Sequence, residues 1–162
     1  MTQVRAIALA ASALCFWGLL PAVASADATA FIGANTSPAN RTAKGFAIGA
    51  GLLIIGFEFE YADTTDDLAA AAPSLKTGTG NMLLQTPVAF AGIQPYFEIG
   101  GGVYHEELGA VSNTGFVGNT GGGVKISLVG PIRLRVDYRV MTLNGALTSP
   151  AHRIYAGLNL KF

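Results

Sequence analysis

The chain has 162 residues, half of them apolar, with ten basic and ten acidic side chains and a single cysteine. Balanced, sparse charge leaves no electrostatic footprint for nucleic acid, and one cysteine excludes a disulfide framework. The length sets a prior of one domain, and the apolar fraction leaves both globular and membrane classes open.

The first segment carries Arg5, an uninterrupted apolar run from Ala6 to Leu20, then Pro21 and "AVASADA". Such a charged start, short apolar centre and small-residue Ala24-x-Ala26 site predict a secretory signal helix at 1–26, cleaved after Ala26. The run is shorter than the roughly 20 apolar residues of a membrane span. Cys15 lies inside it and reads as signal filling. An exported remainder, 27–162, has no cysteine and needs another means of closure.

Beyond Ala26, segments with period-two alternation are separated by clusters of Gly, Pro, Asn, Asp, Ser and Thr. Eight strands are predicted: 28–35, 44–51, 56–62, 80–87, 94–105, 115–128, 132–142 and 151–162. The fourth is the least regular, because Met82, Leu83 and Leu84 are consecutive. The intervals 36–43, 63–79, 106–114 and 143–150 are long and polar, whereas Gly51–Ile55, Val88–Ile93 and Val129–Pro131 are shorter and apolar. In the second long interval, "DLAAAAPSL" allows a helical turn before Pro73. Pro131 heads a strand, where its missing N–H is tolerated, and Asn144-Gly145 signals a turn. Alternating long and short connections match an up-and-down antiparallel β-barrel with both ends on the short-turn side.

The seventh strand puts Ile132, Leu134, Val136, Tyr138 and Val140 on one face, and Arg133, Arg135, Asp137 and Arg139 on the other. The third sets Phe57, Phe59 and Tyr61 against Glu58 and Glu60, and the fifth sets Glu98 opposite Phe97 and Ile99. A soluble lipocalin-like carrier in the periplasm would turn the charges outward. A transmembrane barrel turns them inward, since arginine toward lipid costs about 2–4 kcal/mol at the midplane. Both signs share the polar face, with Glu58, Glu60, Glu98 and Asp137 against Lys125, Arg133, Arg135, Arg139, Arg153 and Lys161. Eight strands leave an interior only wide enough for side chains to fill, so this set is predicted to pair as a plug. Tyr61, Tyr138 and Phe162, near strand ends, suit the aromatic girdles of a membrane barrel.

The signal segment, the eight alternating strands and the ending "RIYAGLNLKF" resemble the small outer-membrane β-barrel proteins of the OmpA-like and OmpX-like kind from Gram-negative bacteria. The resemblance implies an all-β, eight-stranded antiparallel up-and-down transmembrane barrel in the outer membrane. It also implies that Phe162, supported by Leu160, Leu158 and Tyr155, is read by the outer-membrane assembly machinery. Unlike OmpA, the chain is expected to end at the barrel, without a periplasmic domain after Phe162. Members include anchors, adhesins, narrow pores and a few enzymes, so the fold does not fix the activity.

Few residues offer chemistry. His152 lacks the serine two positions on that a lipid-deacylating member of the family carries, since Ile154 stands there. His105, with Glu106, Glu107 and Ser112 nearby in sequence, reads as a polar strand end entering water. Asp63, Asp66 and Asp67 make too thin a ligand set for calcium. The glycine runs Gly100–Gly102 and Gly121–Gly123 neither open a helix nor precede a Lys-Ser/Thr pair, which excludes a phosphate cradle. They are instead expected to lie opposite each other, leaving room for Tyr155, Tyr96 or an arginine of the seventh strand.

The reading is therefore a monomeric barrel with a structural or surface-interaction role. It takes no catalytic residue, no cofactor and no metal, and its partners are outer-membrane lipid, the assembly machinery and an unidentified extracellular partner. The alternatives are a narrow, porin-like pore for small solutes, a periplasmic carrier of a hydrophobic ligand, and a lipid-modifying enzyme acting through His105.

Overall fold

The computed structural model describes residues 24–162. Residues 1–23, which hold most of the expected signal helix, lie outside them. Eight strands follow in order: β1 (Ala24–Asn35), β2 (Arg41–Leu52), β3 (Ile55–Thr64), β4 (Ser74–Gln85), β5 (Ile93–Leu108), β6 (Val111–Val129), β7 (Ile132–Leu143) and β8 (Ala151–Lys161). Each pairs antiparallel with the next, and β8 pairs with β1, closing a barrel that has no free sheet edge. β1 starts on the signal side of the expected cleavage point. Its Ala26 exchanges both backbone hydrogen bonds with Phe162.

The strands are staggered. From Asn35, the paired positions run through Arg153, Arg139, Gly121, Glu98, Leu83, Gly56 and Gly51, and return to β1 at Ser25, ten residues from the start. That shear tilts the strands, and it brings side chains far apart in sequence to one level of the lumen.

Two predicted boundaries are corrected. β4 begins at Ser74 rather than at 80, and the β3–β4 connection shrinks accordingly. Leu75, Thr77, Thr79, Asn81 and Leu83 face the lumen while Lys76, Gly78 and Gly80 face out. With threonines inside and glycines outside, the strand shows no apolar alternation. Leu83 points inward opposite its ladder partner Gly56. Likewise 106–114 is a continuation of β5 and β6 around Gly109-Ala110, with Glu106 paired to Asn113 and Glu107 to Ser112. Polar composition made a paired hairpin look like a loop. The other end carries a longer connection, 86–92, between β4 and β5, so the division into long loops and short turns holds only in part.

The faces alternate as the pleat requires. Phe46, Ile48, Phe57, Phe59, Met82, Leu84, Phe97, Ile99, Ile154, Leu158 and Leu160 are exposed on the outer wall. Charge reappears on that wall at the loop end, where Lys44, Asp63, Lys76 and His105 are successive ladder partners across β2 to β5. Inside, Leu75, Tyr104, Val117, Met141, Leu143 and Ala151 form an apolar cluster near the loops.

Candidate functional site: a charge-filled lumen

Below the apolar cluster, β7 alone sends Arg139, Asp137, Arg135 and Arg133 into the lumen at every second residue, all buried. Arg135 holds Glu58 of β3 through both terminal nitrogens, Nη1 to Oε2 and Nη2 to Oε1 at 3.1 Å. Its Nη2 also donates to Asp137 at 3.1 Å, and its Nε donates to the Tyr96 hydroxyl at 2.7 Å. Tyr96 in turn donates to Asp137, and the guanidinium lies 4.8 Å from the Tyr96 ring centre, within cation–π reach.

Arg139 pairs with Asp137 at 3.0 Å, Glu60 at 2.8 Å, Glu58 at 3.2 Å, and closely with Glu98. Arg153 reaches Glu60 at 3.0 Å and donates to Thr77 Oγ1 at 3.1 Å. Tyr155 donates to Glu60 and accepts from Arg139, both at 3.1 Å, while its ring stacks on Phe31 at 4.0 Å. Toward the turns, Lys125 and Arg133 share Asp27, at 2.6 and 3.0 Å. Arg133 also donates to Asn159 and Gln94.

The structure thus brings Glu58, Glu60, Glu98, Arg135, Asp137, Arg139 and Arg153 into one interior chain of contacts, while Lys125 and Arg133 meet at Asp27 and adjoin it through the Lys125 ammonium, 5.7 Å from the Tyr96 ring centre. Lys161, on the same face by alternation, stands exposed at the turn end. Asp27 completes the set, so five carboxylates face five cations. Sequence reasoning missed Asp27 because it stood at the expected new N-terminus. Its parity with Thr29, Phe31 and Asn35 was the available signal. Taking these charges out of water is costly, and their mutual attraction offsets that cost only where ion pairs and hydrogen bonds combine, as they do around Arg135. The space beside Asp27, Glu58, Gln85 and Lys125 is about 10 Å³, room for roughly one water.

Glycine makes this filling possible, though not in the expected arrangement. Gly121 pairs with Glu98 and Gly123 with Tyr96, while Gly100 pairs with Asn119, so the two runs are offset along the strands rather than opposite. A Cβ on Gly121 would strike Arg139 Cγ at 2.9 Å, and one on Gly123 the Tyr96 hydroxyl at 2.7 Å. The spaces at Gly121 and Gly123 are occupied by Arg139 and Tyr96. Gly101 faces the outer wall.

A second polar group sits on the outer wall at the loop end. His105 Nδ1 lies 2.7 Å from Thr114 Oγ1, its ladder partner, and Nε2 lies 3.1 Å from Glu107 Oε1. β5 runs on past His105 to Leu108, and the imidazole, held between these two side chains, is 40% exposed. His152 bonds Tyr138 at 2.7 Å on the same wall. Of the four residues of the expected assembly signal, Leu158, Leu160 and Phe162 point outward, while Tyr155 is buried in the lumen.

This fold is that of the small eight-stranded outer-membrane β-barrels of the OmpA-like and OmpX-like kind. Among solved structures, the chain is similar to the N-terminal β-barrel domain of Pseudomonas aeruginosa OprF, with 16% identity and a TM-score of 0.62, over 85% of this chain and 97% of that one. Neisserial surface protein A (NspA) matches with 15% identity and a TM-score of 0.63, over 86% and 96%. The outer membrane enzyme PagL matches with 16% identity and a TM-score of 0.51, over 84% and 98%. No protein-family model matches the chain. No curated protein matches it in sequence.

Proposed function

We propose that this chain is an outer-membrane barrel protein with a structural or surface-interaction role, its lumen sealed by the ion network and its loop end outside the cell. The observation that carries the reading is the pairing of Asp27, Glu58, Glu60, Glu98 and Asp137 with five buried cations inside an apolar outer wall. A soluble carrier has the opposite arrangement, charge outside and an apolar pocket inside. A narrow pore needs a water path, and salt-bridged arginines fill the lumen where that path would run.

Phe162, Leu160 and Leu158 form an outward apolar edge on the last strand, the surface the assembly machinery would read; Tyr155 contributes from within by packing on Phe31. The outer wall faces lipid, and closure, which leaves no strand edge to pair with a second copy, supports a monomer. Membrane fractionation with protease treatment of intact cells tests location and orientation together. Recovery in the outer membrane with cleavage within 144–150 supports the reading, and recovery in the soluble periplasm overturns it.

A further inference from the structure

The charge-free outer wall of the β2–β3 hairpin is short. Below Lys44 the outward positions of β2 are Phe46, Ile48, Ala50 and Leu52, and the tip Leu53–Ile54 follows. β3 then climbs through Ile55, Phe57, Phe59 and Tyr61 to Asp63, the ladder partner of Lys44. Lys44 to Leu53 and Ile54 to Asp63 are nine positions each. At about 3.3 Å per residue and a tilt of about 40°, nine positions climb roughly 23 Å. The apolar band of an outer-membrane barrel is about 25 Å tall. Measured down from its first charges, this hairpin ends inside the band.

The rest of the turn end has the same character. Leu53 takes left-handed backbone with φ 55°, a position that Asn, Asp or Gly fills in turns facing water, and its side chain stands exposed. In the other two connections Val88, Phe90, Leu128 and Val129 are exposed, Phe90 at 86%. With Phe162 they carry the apolar surface of the wall around the rim without a break. Charge at this end is of one sign. Among the described residues, Lys161 is the single exposed charged side chain there, whereas the exposed acids Asp66 and Glu107 stand at the loop end. Lys125, Arg133 and Lys161 against Asp27 leave a surplus of two positive charges. A cavity of about 330 Å³ opens at the mouth, and Arg133 and Lys161 line it.

We propose that the turn end is seated in the phospholipid leaflet below it, with Leu53, Phe90, Val129 and Phe162 among the acyl chains and Lys161 on lipid phosphate. This rests on the outer-membrane reading and deepens it, because lipid then holds the barrel at its rim as well as around its wall. The rim residues continue the lipid-facing surface, and the surplus positive charge matches the phosphates. Lys161 spans the difference in depth with its butyl stem, which lies along apolar surface while the ammonium reaches the headgroups. Lipid contact also accounts for a leucine in the left-handed turn position, since burial of its side chain in acyl chains offsets the backbone cost. The depth of the barrel in the membrane is therefore set by its turns.

Single tryptophans read that depth in the full chain, refolded into vesicles of phosphatidylcholine and phosphatidylglycerol after Trp17→Phe removes the one native tryptophan. Phe57→Trp marks the wall and Ser112→Trp the loop end. Leu53→Trp, Phe90→Trp and Val129→Trp should emit to the blue and be quenched by mid-chain brominated phospholipid about half as strongly as Phe57→Trp or more, with Ser112→Trp unquenched. Tip tryptophans as red and unquenched as Ser112→Trp, with Phe57→Trp quenched, would overturn the proposal, leave the rim to a protein partner and keep the membrane reading. An unquenched Phe57→Trp would overturn both. Adding Lys161→Glu to Leu53→Trp sets a negative charge against the phosphates and should lower its quenching. Unchanged quenching in that pair would overturn the phosphate contact.

Discussion

Arg135 of β7 crosses the lumen and grips Glu58 of β3 with both terminal nitrogens, joining two strands that share no ladder. The two side chains are 77 positions apart in sequence, and both are buried. Such a bidentate pair ties opposite walls together without a backbone contact.

Removing one partner strands the other charge in the lumen. Glu58→Ala and Arg135→Ala are each expected to cost about 3–5 kcal/mol, and the double Glu58→Leu/Arg135→Met variant much less than their sum. Urea unfolding of the vesicle-embedded barrels, followed by tryptophan-free far-UV dichroism or heat-modified gel migration, measures the cycle. Additive losses would mean the pair is not coupled.

The same network is proposed to close the lumen. Wild type should show no steady conductance in planar bilayers, whereas Arg135→Ala combined with Arg139→Ala should introduce ion steps by removing the two guanidiniums that bridge the centre. Steady wild-type conductance would contradict a sealed interior.

Glycine positions separate lumen from wall. Gly121→Val and Gly123→Val drive a Cβ into the backbone carbonyls of Tyr138 and Val136 as well as into Arg139 and Tyr96, and each should destabilise by about 1–3 kcal/mol or more through overpacking. Gly118→Val, facing outward with nothing within 4 Å of its Cβ, should be tolerated. Comparing the urea midpoints of the three variants decides the facing.

The last residue is tested separately. Deletion of Phe162 removes an exposed aromatic and the backbone pair it makes with Ala26. The expected outcome is reduced outer-membrane yield with unchanged total synthesis, read by fractionation. Full yield would remove Phe162 from the assembly signal.

Much of this arrangement is legible in the residues. "GFEFEYA" and "IRLRVDYRVM" show apolar and charged sets at strict period two, and a sheet has no other way to separate them. The β5–β6 hairpin was not legible. Glu106, Glu107, Ser112 and Asn113 are loop-forming by composition, and only their cross-strand partners make them strand. The same holds for "SLKTGTG" in β4, whose lumen side is polar and whose wall side is bare.

The sequence by itself determined the strands' two faces, the sign balance of the polar face and the apolar last strand, because alternation is a local property of neighbouring residues. Tertiary structure alone decided which acid meets which base across the lumen, that Asp27 joins Lys125 and Arg133, and that His105 reaches Thr114. Those contacts depend on register and on the ten-residue stagger around the barrel. Closure sets that stagger for all eight strands at once, so no single segment encodes it.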